Sequence, residues 1–276
     1  MTSPGPPGLY LFPAARVPVA LVLRHGPGRW WHLMLWHLDH NELEHGAWFH
    51  GQIYPRRADL SEDGRLFCYF ALKVRDGEWL GQRFFHTYVA VSKPPWLFAL
   101  DAWPEMGTYT RGYHFVEGAE PRVRETGPPA RRRGLAQTLP TQYAAERRRG
   151  WVEHERCPPR SPNDMFDERR RVVLVKERPD GRARLVLTDQ GFDFRSGGRI
   201  EGQLPTYAIE TRKRSRDLPD VVWAEWDTVG RLIVATRTGR VQLLDADGPE
   251  PRVIRERDLD GLVPEPEPAP DHAKRW

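Results

Sequence analysis

The apolar residues of this sequence occur in short runs, and Gly, Pro or Asp bounds most of these runs. Residues 17–23, 30–36 and 66–72 are examples, each rich in β-branched or aromatic side chains. Runs of this length and composition are typical of β-strands. The 26 Pro and 24 Gly residues would interrupt long helices repeatedly. The sequence therefore predicts an all-β, antiparallel fold of short strands joined by tight turns.

Three segments share a turn that ends in Gly-Arg and leads into a strand. They centre on Gly64, Gly181 and Gly230. This strand–turn–strand pattern resembles the blades of WD-type and related β-propellers, and residues 222–245 are the best match to a single blade. The resemblance implies about five blades within residues 8–248. It also implies that the repeats need one another, because a blade buries its faces only against neighbouring blades.

Composition divides the chain into segments of different character. The segments are a flexible N-terminus (1–8), aromatic-rich β repeats (9–117), an Arg/Pro-rich insertion or linker (118–170), β repeats that close the same domain (171–248) and a Pro/Glu-rich flexible tail (249–276). We expect one short helix inside the insertion, at residues 141–149. The irregular spacing of the repeats leaves open whether the first 115 residues belong to the same ring or form a separate β domain.

The two cysteines are too few for the disulfide framework of a small secreted domain. Cys68 lies in an apolar run and Cys157 in a Pro-rich stretch. The first residues lack the basic region of a signal peptide, and no apolar run reaches the length of about 20 residues that spans a bilayer. We therefore expect a cytoplasmic protein without a membrane span.

Motifs of common enzyme classes are absent from the sequence. It contains no Gly-x-Ser-x-Gly, no P-loop, no dinucleotide fingerprint and no Cys-x-x-Cys. We therefore predict no cofactor and assign no catalytic residue.

Residues 37–45 hold a dense group of imidazole and carboxylate side chains. His37, Asp39, His40 and His45 are of the types that bind zinc or a similar divalent ion. Their spacing reproduces no established zinc motif, so the competing interpretation is a solvated loop between two strands. The metal-site hypothesis names these four residues.

Aromatic side chains in the first half are interleaved with acids. Trp96, Trp103, Tyr109 and Tyr113 are our candidates for a binding rim, although large rings fill β cores routinely. Some β-propellers cleave glycans, which requires two carboxylates about 5 to 9.5 Å apart. The acids considered for such a pair are Asp59, Asp101, Glu105, Glu225 and Asp227.

Arginine runs give the insertion a local positive charge. Arg131, Arg132 and Arg133 form one run, and Arg147, Arg148 and Arg149 form another. A similar basic run lies outside the insertion, at residues 212–216. Such runs could grip phosphates or an acidic partner, and the alternative is an ordinary solvated face.

These features together favour a non-catalytic, propeller-like binding or scaffold module that engages another macromolecule. A protein is the expected partner. The alternatives are a carbohydrate-active propeller with a carboxylate pair, and a nucleic-acid contact through the Arg-rich insertion.

Overall fold

The computed structural model describes residues 7–73, 86–105, 107–108, 112–116, 134–138, 143–156, 171–190, 205–248 and 250–276. The chain divides into two compact units. The first unit comprises Met1–Thr138 together with Asp258–Trp276, and the second comprises Leu139–Arg257.

The described part of the first unit is built from antiparallel strands and two short 3-10 turns. The strands are β1 (Gly8–Pro13), β2 (Val19–His25), β3 (Trp30–His37), β4 (Glu42–His50), β5 (Gln52–Ile53), β6 (Asp59–Leu60), β7 (Phe67–Leu72), β8 (Thr87–Ser92), β9 (Asp101–Pro104), β10 (Tyr113–Phe115) and β11 (Leu135–Gln137), and the 3-10 turns are Pro55–Arg57 and Asp271–Lys274. One sheet has the order β1-β2-β3-β4. A second has the order β5-β7-β8-β9 with β6 beside β7, and β10 pairs with β11.

The second sheet of this unit is buried on both faces. One face packs on the first sheet through a core that includes Phe12, Trp31 and Phe67. The other face packs against the β10–β11 pair through Phe70 and Leu135. Continuous burial explains why β7 is apolar at every position instead of alternating between apolar and polar side chains.

The described part of the second unit contains two further sheets and one short helix. Its elements are α1 (Ala144–Arg148), β12 (Val152–Arg156), β13 (Val172–Glu177), β14 (Ala183–Asp189), β15 (Thr206–Thr211), β16 (Ser215–Asp217), β17 (Val221–Trp226), β18 (Leu232–Thr236), β19 (Arg240–Asp245) and β20 (Arg252–Asp258), whose last residue belongs to the first unit. The sheet orders are β12-β13-β14-β15-β16 and β17-β18-β19-β20. A common core that includes Trp151, Leu185 and Trp226 joins them.

The predicted fold class is confirmed by these sheets. Consecutive strands lie side by side and antiparallel in chain order, which is the topology of a propeller blade. In its described part the chain forms five sheets, the number of blades that the sequence predicted, although the β10–β11 sheet has only two strands.

The Gly-Arg repeats adopt one turn geometry. Gly64, Gly181 and Gly230 have φ angles of 73°, 68° and 84°, in the left-handed region that favours glycine. The amide of each glycine donates to the carbonyl three residues earlier, at 2.9, 2.9 and 3.1 Å. An Asp side chain accepts from the backbone amide of each following arginine, at 3.1, 3.0 and 2.7 Å. The sequence similarity therefore reflects a repeated hairpin turn.

The insertion and the tail carry more structure than their composition predicted. The expected short helix is present as α1, and β12 of the insertion pairs with β13. The segment expected to be a flexible tail contains β20 and buries Leu259 and Ala273. Arg24 Nε donates to the Leu259 carbonyl at 2.7 Å, which fixes the start of the last segment to the first sheet.

The described residues contain no helix that is both long and apolar enough to cross a membrane.

Candidate functional site

Five aromatic and imidazole rings are contiguous on strands β3 and β4, the latter being the edge strand of the first sheet. We call them the β3–β4 ring surface: Trp30, His32, His45, Trp48 and His50. His32 stacks on Trp48 with the ring centroids 4.1 Å apart and the planes at 8°. Trp30 lies 6.4 Å from Trp48 and 4.9 Å from His50. His32 is buried, Trp30 and Trp48 are half-buried, and His45 and His50 are exposed.

A β-bulge in β4 brings His45 beside His32. Opposite His32 lies Trp48, but opposite Met34 lies His45, so β4 has one extra residue in this interval. Such a bulge redirects side chains along the strand. The bulge contains Gly46, and the adjacent Ala47 amide donates to the Pro95 carbonyl at 3.0 Å. The loop after β8 therefore supports the bulge that forms the ring surface.

The two histidines form a hydrogen-bonded pair with defined tautomers. His32 Nδ1 lies 3.2 Å from the Ala47 carbonyl oxygen, which can only accept, so Nδ1 carries the proton. His32 Nε2 then accepts from His45 Nδ1, which lies 2.9 Å away. This assignment leaves His45 Nε2 as a hydrogen-bond acceptor on an exposed ring.

Both imidazoles are held in the neutral form. The pKa of His32 is lowered to about 4, mainly by burial and to a smaller extent by the neighbouring His45 and Arg24, against the opposing effect of the Ala47 hydrogen bond. Burial also lowers the pKa of His45. At these two residues the ring surface therefore presents neutral polar atoms beside flat apolar faces, a chemistry suited to stacking and hydrogen bonding.

Acidification is expected to destabilise the first unit through His32. Because its pKa is about 4 in the folded protein and about 6.5 in the unfolded chain, the unfolded chain binds the proton first as the pH falls. The stabilisation is therefore complete above about pH 6.5 and is lost progressively toward pH 4. At 1.36 kcal/mol per pH unit, His32 alone accounts for a loss of about 2 kcal/mol between pH 7 and pH 5. Urea denaturation at a series of pH values measures this slope.

A His32→Phe variant keeps a ring against Trp48 but does not titrate, so its stability should change less between pH 7 and pH 5. The exposed His40 provides the matched control, and His40→Gln should retain the wild-type slope. An unchanged slope in His32→Phe would contradict the assignment to His32.

The residues of the predicted metal site do not converge. His37, at the end of β3, has Nε2 4.0 Å from Glu44 Oε2. Asp39 and His40 lie exposed in the turn between β3 and β4, and His45 contacts His32 instead. In the described part of the chain, no three His, Cys, Asp or Glu side chains are grouped to hold a metal ion. The metal site remains a sequence prediction without geometric support.

Of the predicted aromatic rim, Trp103 is buried and Tyr113 is half-buried. Trp103 and Tyr113 both donate to Glu105 Oε1, at 3.2 and 3.0 Å, and their rings meet edge to face at 5.5 Å. Burial and the Glu105 carboxylate raise the pKa of Tyr113 to about 12. Trp96 lies half-buried in the loop that supports the bulge, and its Nε1 has no hydrogen-bond partner among the described residues. Tyr109 lies outside the described residues.

The predicted arginines have separate roles. Arg147 Nη2 pairs with Glu153 Oε2 at 2.5 Å, Arg148 is exposed beside the α1 backbone, and Arg149 caps the C-terminal end of α1. These three arginines therefore lie at the C-terminal end of α1, each with its own contact. Arg131, Arg132 and Arg133 lie outside the described residues.

The five acids considered for catalysis each serve a local structural contact. Asp59 Oδ2 accepts from the Phe115 amide at 3.0 Å and Asp101 Oδ1 from the Ala102 amide at 3.0 Å. Glu105 accepts from the Trp103 indole and the Tyr113 hydroxyl. Glu225 pairs with Lys176 at 2.7 Å, and Asp227 accepts from the Arg231 amide at 2.7 Å. These carboxylates stabilise turns, strands and ring positions.

Sequence reasoning missed most of the ring surface, since only His45 was among the predicted site residues. Trp30 and His32 are two residues apart on β3, and Trp48 and His50 are two residues apart on β4. Side chains two residues apart share one face of a strand, so this spacing indicated that each pair lies on one face. Its significance depends on the register of the two strands, which places His32 opposite Trp48.

Comparison of the sequence with protein-family models and with curated proteins gives no match. Among solved structures, Kuenenia stuttgartiensis hydrazine synthase is 13% identical, with 90% of this chain and 78% of that chain covered and a TM-score of 0.36. The β-propeller domain of the Pyrococcus furiosus trilobed protease is 12% identical, with 90% and 85% covered and a TM-score of 0.35. Pyrococcus horikoshii acylaminoacyl peptidase is 12% identical, with 87% and 38% covered and a TM-score of 0.24. These similarities are too weak to transfer an activity to this chain.

Proposed function

We propose that this protein is a non-catalytic binding module that engages another macromolecule, in the first instance a protein, through the β3–β4 ring surface. The observation that carries the proposal is the contiguous, partly exposed set of rings on the edge strand β4 and the adjacent strand β3. Aromatic side chains dominate the energetics of protein interfaces because they bury a large area at a small entropic cost.

The chemistry of the surface supports recognition over hydrolysis. Its rings contact one another through stacking and edge contacts, and the imidazoles of His32 and His45 are neutral. The five acids considered for a carboxylate pair are instead hydrogen-bonded within their own units. Neutral flat faces beside an imidazole acceptor suit a partner that offers apolar groups and hydrogen-bond donors.

Replacing the Trp30 and His50 rings should weaken partner binding while the fold is retained. In a Trp30→Ser/His50→Ser double variant, the hydrogen-bonded His32–His45 pair remains. Loss of one well-packed aromatic contact in an interface costs about 2 kcal/mol, so recovery of the partner should fall by about 10-fold or more. Quantitative co-purification from the native cell, against the wild-type protein, measures the change.

Trp276→Ser is the matched control, because it also removes a large exposed ring from the first unit. This control should recover the partner at the wild-type level. A photo-crosslinking residue at position 50 should then form an adduct with the same protein. Equal recovery with the ring variant, or absence of that adduct, would refute binding through this surface.

A further inference from the structure

The turn between β15 and β16 displays three consecutive cations. Its residues Arg212, Lys213 and Arg214 are all exposed, and the next residue of the same sign, Arg216, lies on β16. Within the described parts of the chain, no ion pair neutralises the side chains of the three turn residues. Arg214 contributes to the lowered pKa of Glu250, but the hydrogen-bonded partner of that carboxylate is Arg216.

This absence of neutralisation distinguishes the turn from several other arginines of the second unit. Four exposed or half-buried arginines of its sheets pair with an acid. The pairs are Arg184–Glu210 at 2.8 Å, Arg216–Glu250 at 2.8 Å, Arg240–Glu256 at 3.2 Å and Arg252–Asp245 at 3.5 Å. The positive charge of the turn therefore remains available to an external anion.

The backbone of the turn is fixed by Thr211. Its amide donates to the Arg214 carbonyl at 2.8 Å, and its hydroxyl donates to the same carbonyl at 3.2 Å. The hydroxyl oxygen also accepts from the amides of Lys213 and Arg214, at 3.4 and 3.3 Å. A turn held in this way presents its cations without first losing backbone entropy, which favours binding.

The charge of the chain is concentrated in the same unit. Residues 139–257 contain 24 Lys and Arg against 20 Asp and Glu, whereas the rest of the chain contains 18 of each. The entire formal excess of +4 therefore belongs to the second unit. Net charge therefore favours this unit over the first for a ligand of high negative charge density.

We propose that the β15–β16 turn binds the phosphate backbone of a nucleic acid. Arginine guanidinium groups match phosphate oxygens in paired hydrogen bonds, and lysine adds a point charge. A nucleic-acid duplex carries one charge per about 1.7 Å of its axis, a density that an extended acidic peptide, at about 3.3 Å per residue, does not reach. Three closely spaced cations without intramolecular partners fit the denser polyanion better. The site is separate from the β3–β4 ring surface and does not depend on it.

The test compares two variants that each remove three positive charges from the second unit. Arg212→Ser/Lys213→Ser/Arg214→Ser removes the turn cations but keeps Thr211. Arg182→Ser/Arg237→Ser/Arg252→Ser removes three dispersed, exposed arginines and serves as the control. Circular dichroism and urea denaturation confirm that both variants fold. Fluorescence anisotropy then measures binding to a DNA duplex of about 20 base pairs, a single-stranded RNA of similar length and polyglutamate, over a range of salt concentrations.

The turn variant should bind nucleic acid about 10-fold or more weakly at low salt, and its slope of log affinity against log salt should fall by about 2 to 3. The control should lose much less. The larger effect on duplex or on single-stranded RNA identifies which source of phosphate the turn prefers. Equal losses in both variants, equal affinity of the wild-type protein for polyglutamate, or no salt-sensitive binding by the wild-type protein would each overturn the proposal.

Discussion

Replacing Glu225 with Ala is expected to destabilise the second unit by about 3 to 5 kcal/mol, because it removes the acceptor of two buried N–H donors and the partner of the half-buried Lys176 ammonium. Glu225 is 2% exposed. Its Oε1 lies 2.7 Å from Lys176 Nζ and accepts from the Trp226 amide at 2.9 Å, while Oε2 accepts from Trp151 Nε1 at 3.0 Å. The substitution leaves all three donors without this acceptor. Urea denaturation followed by tryptophan fluorescence measures the loss.

Two further variants separate charge from packing. Glu210→Ala removes a carboxylate whose pair with Arg184 is about one third exposed, so its cost should stay below about 1 kcal/mol. Adding Lys176→Met to Glu225→Ala removes the uncompensated ammonium and should recover part of the lost stability. Equal losses for Glu225→Ala and Glu210→Ala would disprove the structural role assigned to Glu225. That role also explains why this acid is a poor candidate for a catalytic pair.

Replacing Gly46 with Ala is expected to cost the first unit about 3 kcal/mol, the upper part of the usual range for overpacking. A Cβ at this position would lie 2.3 Å from the Pro95 carbonyl oxygen and 2.5 Å from Pro95 Cβ. Both distances are far shorter than non-bonded atoms allow. The atoms contacted belong to the backbone and to the rigid proline ring, so neither can move aside easily. Because the Ala47 amide donates to the same carbonyl, the bulge cannot move away without losing that hydrogen bond.

The consequence reaches the candidate binding surface, since the bulge places His45 beside His32. Gly46→Ala should therefore change the imidazole NMR signals of both histidines as well as the midpoint of unfolding. Gly8→Ala is the control, because its Cβ would meet only ordinary contacts at 3.7 and 3.8 Å. Wild-type stability and unchanged imidazole signals in Gly46→Ala would contradict this account of the bulge.

The strands and the repeated turns were predictable because their signals are local. The turns at Gly64, Gly181 and Gly230 are each closed within a few residues by a glycine and an aspartate. The short helix α1 was also predicted from its own segment. Hydrogen bonds of this kind depend little on the rest of the chain, so sequence patterns recover them.

The surfaces were harder to predict because their signals are non-local. Trp103 and Tyr113 lie ten residues apart in the sequence, and only the fold brings both to the same Glu105 oxygen. Arg216 is neutralised by Glu250, 34 residues away. Sequence alone could not separate it from Arg214, which has no such ion pair with any residue that the structure describes.

The sequence by itself determined the class of fold, through short apolar runs and Gly-Arg turns that permit little besides antiparallel hairpins. The tertiary structure decided which side chains remain available for binding. A strand register and one bulged residue created the β3–β4 ring surface, and distant acids neutralised some arginines but left the β15–β16 turn charged. The physical reason is that local backbone hydrogen bonds fix elements, whereas burial and ion pairing depend on partners that only the folded chain brings together.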